Sequence, residues 1–235
     1  MLLVLAMALS LFAACTPGNA DPTADPAADP TASPEGTPVA NTELTPTEDE
    51  TISDKDTINI AVDREPATLN PGGVMSNVSE IVMMNTMDTL LKFDESATPQ
   101  PNLATEWEAI DELTWQFKLR EDVYFTNGEH FTAEDVVYSI NRLANTTTGP
   151  SALTHIYLSG VVAVDEYTVN IKTTEPYAFL EAQLCQAVMC IVNEKAITEM
   201  GEDAHGRAPV GTGAYMVSNW VAGESITLTR NDNYW

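Results

Sequence analysis

From residue 57 onward, hydrophobic and polar positions alternate in short blocks whose period changes along the chain. Thr57-Ile58-Asn59-Ile60-Ala61-Val62 has period two and is β-branched, which predicts a first strand. Turn formers from Thr68 to Gly73 predict a loop after it. Ser76 or Asn77 then caps a predicted helix running to about Leu91, with Ile81, Met84, Met87, Leu90 and Leu91 on one stripe read as core. Pro99 to Leu103 reads as a loop. Trp107 begins a meander in which Leu113, Trp115, Phe117 and Leu119 face one side. Asn127-Gly128 marks a tight turn. Thr132, with acids at Glu134 and Asp135, predicts the start of a helix that buries Val136, Val137, Ile140 and Leu143. A polar loop from Asn145 to Pro150 ends it. Val161–Val164 and Tyr167–Lys172 form a predicted β pair. Glu175-Pro176 opens a predicted helix to Ala182 or Leu184, Val188–Val192 reads as a strand, and Asn193–Met200 as a short helix. A hairpin from Tyr215–Val221 and Ser225–Arg230 closes the series. Hairpins mixed with helices imply an α/β or α+β chain with more than one sheet.

The first 56 residues follow different rules. Met1 to Ala14 is apolar apart from Ser10, too short to span a bilayer and of the length of a signal-peptide core. It ends Leu11-Phe12-Ala13-Ala14-Cys15, which resembles a bacterial lipobox with Cys15 as the lipidated residue; an ordinary signal peptide is the alternative. Residues 1–15 are therefore expected to be a signal peptide with lipobox. A diacylglyceryl group on Cys15 would supply the two chains that stable anchoring needs. Residues 16–56 hold ten acids, one base (Lys55) and seven of the 14 prolines. The Asp-Pro pairs at 21–22, 25–26 and 29–30 recur every four residues. Such a segment cannot bury enough surface to offset its ordering entropy and is expected to be a disordered, extended tether. That leaves 57–235 as the folded part.

Charge narrows the function. The chain has 235 residues, 10 Lys plus Arg, 35 Asp plus Glu, and a net charge of −25. Nucleic-acid binding needs a basic patch that displaces counterions, and ten scattered bases do not make one. A polybasic membrane surface is excluded for the same reason. The acidic surface would attract cationic partners, although solubility alone also explains it.

Catalytic motifs are missing. There is no H-E-x-x-H, G-x-S-x-G or Walker sequence. Gly211-Thr212-Gly213 lacks the third glycine and following helix of a dinucleotide site. His130, His155 and His205 stand apart from one another. Cys185 and Cys190 could be a disulfide, two buried thiols or part of a metal site, but no second ligand pair follows them. No cofactor and no metal is expected.

One stretch is specific. Leu119-Arg120-Glu121-Asp122-Val123-Tyr124-Phe125-Thr126-Asn127-Gly128-Glu129-His130-Phe131-Thr132-Ala133-Glu134-Asp135-Val136-Val137-Tyr138-Ser139 closely resembles the signature of family 5 solute-binding proteins of ABC importers. These are the oligopeptide, dipeptide and nickel-binding group. Pro66-Ala67-Thr68-Leu69-Asn70-Pro71 resembles the loop after that family's first strand, and Leu103-Ala104-Thr105-Glu106-Trp107 a further segment. Val210-Gly211-Thr212-Gly213-Ala214-Tyr215, Trp220 and Arg230-Asn231-Asp232-Asn233-Tyr234-Trp235 resemble a third.

The resemblance implies an α/β fold of the two-lobed, type II periplasmic-binding-protein kind. Residues 57–82 and 194–235 would belong to the first lobe, 83–193 would form the family's small inserted domain, and the second lobe is expected to be missing. It implies an extracytoplasmic receptor, monomeric and lipid-anchored to the outer face of the cell membrane (or periplasmic). The receptor would capture peptides and deliver them to ABC permease subunits. A nickel chelate, heme or another small solute is the alternative ligand. A secreted hydrolase using His130 or His205 is the alternative of another class, and a truncated product without function of its own a third. The ligand-binding residues implied are Asn70, Gly73, Val74, Met75 and Ser76, with Ser151 and Ala152 at the pocket edge. Main-chain groups of 73–76 would add a strand to an extended peptide.

Overall fold

The computed structural model describes residues 57–235, of which Ile58–Trp235 form one compact unit. The expectations for residues 1–15, Cys15 and the tether 16–56 lie outside the described residues.

Ser76 caps the first helix, α1 (Asn77–Thr86), its hydroxyl accepting from the Ser79 N–H at 3.2 Å. The chain then runs through β1 (Leu91–Phe93), β2 (Pro99–Pro101), β3 (Ala104–Ala109) and β4 (Thr114–Leu119). Next come α2 (Ala133–Leu143), the single turn α3 (Gly149–Ala152), β5 (Val162–Asp165) and β6 (Thr168–Lys172). It ends with α4 (Leu180–Gln183), α5 (Glu194–Met200), α6 (Glu202–His205) and the hairpin β7 (Tyr215–Val221) and β8 (Ser225–Arg230).

The largest sheet is antiparallel, in the order β3-β4-β6-β5, with Phe117 paired to Trp107 on one side and to Val169 on the other. α2 packs on β5 and β6. Its Val136, Ile140 and Leu143 join Phe117, Leu119, Val169 and Ile171 in the main core, which spans residues 90–191. Asp135 fastens the start of α2: its carboxylate accepts from the Thr132 N–H at 3.0 Å and the Thr132 hydroxyl at 3.1 Å. A second, smaller core gathers Leu69, Met83, Met87, Cys190, Val192 and Ile197, with Met75, Val217 and Trp220 against it. The α/β class is as expected.

Five expectations are corrected. Residues 57–62 are extended but unpaired, with Ile58 85% and Ile60 75% exposed. Alternation alone does not make a strand; a ladder partner is required, and none lies beside this segment among the described residues. The first helix stops at Thr86 rather than near Leu91, because Met87 turns extended and Leu91 enters β1. Its buried face carries Val78, Met83 and Thr86, while Ile81 and Met84 point outward. Pro99–Pro101, read as loop, pairs with β1. Val188–Val192 is not a strand: a 3-10 turn at Ala187–Met189 leads into a segment whose Ile191 N–H donates to Asp88 O at 2.9 Å. The helix expected from Glu175 begins only at Leu180.

Cys185 and Cys190 are free and buried. Burial pushes the Cys185 thiol up to about 11, helped by the charge of Glu181; burial and then Asp88 raise Cys190 as well.

Gly211-Thr212-Gly213 joins the two cores. A Cβ on Gly211 would sit 2.1 Å from the Thr86 carbonyl oxygen, and one on Gly213 2.5 Å from the Thr86 carbonyl carbon. The Gly213 N–H donates to Thr86 O at 3.1 Å, and the Thr212 hydroxyl donates to Asp88 Oδ2 at 2.8 Å. The motif therefore clamps the end of α1. Its glycines are there for close backbone approach, not for a nucleotide.

Candidate functional site

The loop at 68–76 is built from a tight turn. Asn70 O accepts from the Gly73 N–H at 3.1 Å, Pro71 occupies the second position, and Gly72 takes φ +77° in the third. Proline followed by a positive-φ glycine is the requirement of a type II turn. Gly72 has a second reason to be glycine, since a Cβ there would lie 2.2 Å from Thr146 Oγ1.

Three side chains latch this turn to the rest of the fold. Arg142, at the end of α2, donates from Nη1 to Pro71 O at 3.0 Å and from Nε to Glu202 Oε1 at 2.8 Å, with Nη2 on Glu202 Oε2. Its side chain is 6% exposed and that of Glu202 52%, so solvent screens the ion pair and the hydrogen bonds carry the effect. Asn70 Nδ2 donates to Glu202 O at 2.5 Å and to Glu202 Oε2 at 3.1 Å. His205, fully buried, faces Asn70 Oδ1 through Nδ1 at 2.6 Å. The Val210 N–H donates to His205 Nε2 at 3.2 Å, so Nε2 is bare and the proton sits on Nδ1. Burial pushes this imidazole down to about 4; the Val210 carbonyl, 3.5 Å from Nε2, opposes the shift and the charge of Arg142 adds to it.

Arg142→Met is expected to cost about 2 kcal/mol, mostly by stranding the Pro71 carbonyl, measured as a lowered urea midpoint. An unchanged midpoint would mean that the latch does not hold the turn.

The expected site residues divide into latch and edge. Asn70 is buried and both ends of its amide are engaged within the latch. Gly73 is half-buried; its N–H is used in the turn and its carbonyl accepts from Thr148 Oγ1 at 3.1 Å. Ser76 is the cap of α1. Among the described residues, no group donates to or accepts from the main-chain N–H and C=O of Val74 and Met75. Val74 is 58% exposed, and Met75 is half-buried against the second core. Ser151 is exposed and Ala152 half-buried in α3. The two stretches are tied through a residue that flanks α3: the Thr148 N–H donates to Gly72 O at 2.8 Å, and the Thr148 hydroxyl to Gly73 O at 3.1 Å.

Beside this edge lies an open groove of about 340 Å³, lined by Met75, Met84, Phe93, Ala187, Val188 and Glu80 among others. A second depression of about 440 Å³ is lined by charged groups, including Glu129, Lys195 and Glu199.

The histidines considered for hydrolysis serve the fold. His130 Nε2 is 2.8 Å from the Glu121 carbonyl and Nδ1 is 3.0 Å from the Tyr167 hydroxyl, while His205 belongs to the latch. Among the described residues no three His, Cys, Asp or Glu side chains gather as a metal site, and no helix is long and apolar enough to cross a membrane.

Residues 98–235 match the family model described as bacterial extracellular solute-binding proteins, family 5 Middle. The periplasmic oligopeptide-binding protein OppA of Salmonella typhimurium is 29% identical over 203 residues, covering 78% of this chain and 37% of its own length. The dipeptide-binding protein DppE of Bacillus subtilis is 27% identical, with 74% and 35% covered. Haemophilus influenzae OppA, solved in complex with RPPGFSPFR, superposes with a TM-score of 0.67 at 28% identity, over 73% of this chain and 37% of that one. The chain thus spans little more than a third of the length of the curated relatives it matches. Over that span its fold is that of the type II binding proteins, as expected. The hydrolase alternative finds no support among these relatives.

Proposed function

Because the chain belongs to the family 5 bacterial extracellular solute-binding proteins, we propose that it is the peptide-gripping part of an extracytoplasmic receptor serving an ABC importer. The receptor is monomeric, holds its ligand without altering it and presents it to permease subunits. Cys15 carries the lipid anchor and residues 16–56 the tether. Residues 57–82 and 194–235 act as one lobe and 83–193 as an inserted domain.

The observation that carries this reading is the main chain of Val74–Met75, unpaired among the described residues, beside an open groove that Met75 lines. An extended peptide pairs there as an added strand, whatever its side chains. Asn70 holds the turn that aims this edge, Gly73 and Ser76 bound it, and Ser151 and Ala152 flank the ligand. The relatives named for oligopeptide and dipeptide binding support a peptide as the solute.

Magnitude sets the expected affinity. Micromolar binding needs about 8 kcal/mol, whereas three main-chain hydrogen bonds give less than about 5. The chain alone is therefore expected to bind tetra-alanine only in the millimolar range, read by NMR titration. Tetra-alanine N-methylated at the paired residue should bind about fivefold more weakly, the cost of one lost hydrogen bond. Equal affinity for the two peptides would refute main-chain pairing.

A further inference from the structure

We infer that the groove beside Val74–Met75 receives an apolar side chain of the bound peptide and rejects an acidic one. The inference rests on the peptide reading above and adds a preference to it. An extended peptide sends successive side chains to opposite faces. A peptide paired with Val74–Met75 therefore points one side chain towards the groove and its neighbours away. The groove, at about 340 Å³, is at the small end of ligand sites and takes one large side chain rather than a whole peptide.

Its walls are unusually apolar for a surface so open. Met84 and Phe93 are 40% and 42% exposed, although most methionines and phenylalanines of a fold this size are buried. Nothing among the described residues covers them. Met75 and Met84 are unbranched and polarisable, so they adapt to apolar partners of different shape. Cys185, Ala187 and Val188 add further apolar surface, and Gln186 is the one neutral polar side chain on the lining. The one charge on the lining is negative: Glu80 lies one helical turn before Met84 on the same face of α1. A carboxylate entering the groove would lose water and meet Glu80 on a chain of net charge −25.

The test is an NMR titration of the full chain, labelled at backbone nitrogen and methionine methyl carbon, with end-blocked Ala-Phe-Ala and Ala-Asp-Ala. Ala-Phe-Ala is expected to bind at least about tenfold more tightly, the low end of what burying one aromatic side chain gives. It should shift the Met75 and Met84 methyl signals, which Ala-Asp-Ala leaves in place, while both peptides move the Val74 and Met75 amides. Met84→Lys places a cation on the wall and is expected to abolish the preference. Moved amides with equal affinities and unmoved methyl signals would overturn the inference and leave strand pairing intact. If neither peptide moves the amides, the peptide reading fails, and this preference with it.

Discussion

Replacing Gly211 by alanine is expected to remove more than about 3 kcal/mol of folding stability. The new methyl carbon would lie 2.1 Å from the Thr86 carbonyl oxygen and 2.4 Å from Met87 Cγ. The side chain could move, but the Thr86 oxygen is main chain at the end of α1 and cannot give way without pulling the helix with it. Overpacking of an ordinary core site costs about 1–3 kcal/mol, and a backbone collision exceeds that range. The natural control is Gly223→Ala. Gly223 has φ +72° but nothing within 4 Å, so only backbone strain of about 1 kcal/mol is at stake. Urea unfolding followed by circular dichroism gives both numbers. Similar small costs at the two positions would show that Gly211 is not the point where the cores are clamped.

Stability should also fall by about 3 kcal/mol between pH 6.5 and pH 4 through His205 alone. The unfolded histidine titrates near 6.5 and the buried one near 4. Above 6.5 both forms are neutral and the contribution is complete. Below 6.5 the unfolded chain takes up a proton that the folded chain refuses, and stability drains away until the folded imidazole is protonated as well. Asp88 and Asp135, both raised mainly by burial, work in the opposite sense: their contribution is greatest at acid pH and is lost as pH rises. The clean measurement is therefore the difference between the parent and His205→Gln. That difference should shrink steadily as pH falls from 6.5 to 4. A difference independent of pH would mean that His205 is not held neutral.

Alternation made the strands of the β3-β4-β6-β5 sheet and the β7–β8 hairpin legible, but not the order that joins β4 to β6; the sheet strands place Phe117, Val169 and Ile171 in the main core, while the hairpin only rests Val217 and Trp220 against the second. The start of α2 could be read from Thr132 and Asp135 because a local hydrogen bond decides it. What failed depended on partners distant in sequence. Residues 57–62 have the composition of a strand but no neighbour among the described residues to complete a ladder. The rotation of α1 is fixed by Gly211–Gly213 and by Leu69, more than a hundred residues apart, so its spacing alone put Ile81 and Met84 on the wrong side. Of the candidate site, the resemblance pointed to Val74 and Met75, whose main chain has no partner among the described residues. It did not point to Arg142, Glu202 or His205, which look in the sequence like an ordinary polar helix face and a loop histidine. Nor could Met84 be recognised as a groove wall, since a methionine at helical spacing is more often core.

The decisive measurement is amide hydrogen exchange at Val74 and Met75 in the full chain, with and without millimolar tetra-alanine. Strand addition requires exchange at this edge to slow when peptide is present and to recover on its removal, the peptide coming back intact. Peptide binding that leaves both amides exchanging at their free rate would contradict the proposal that this edge is where the ligand is held.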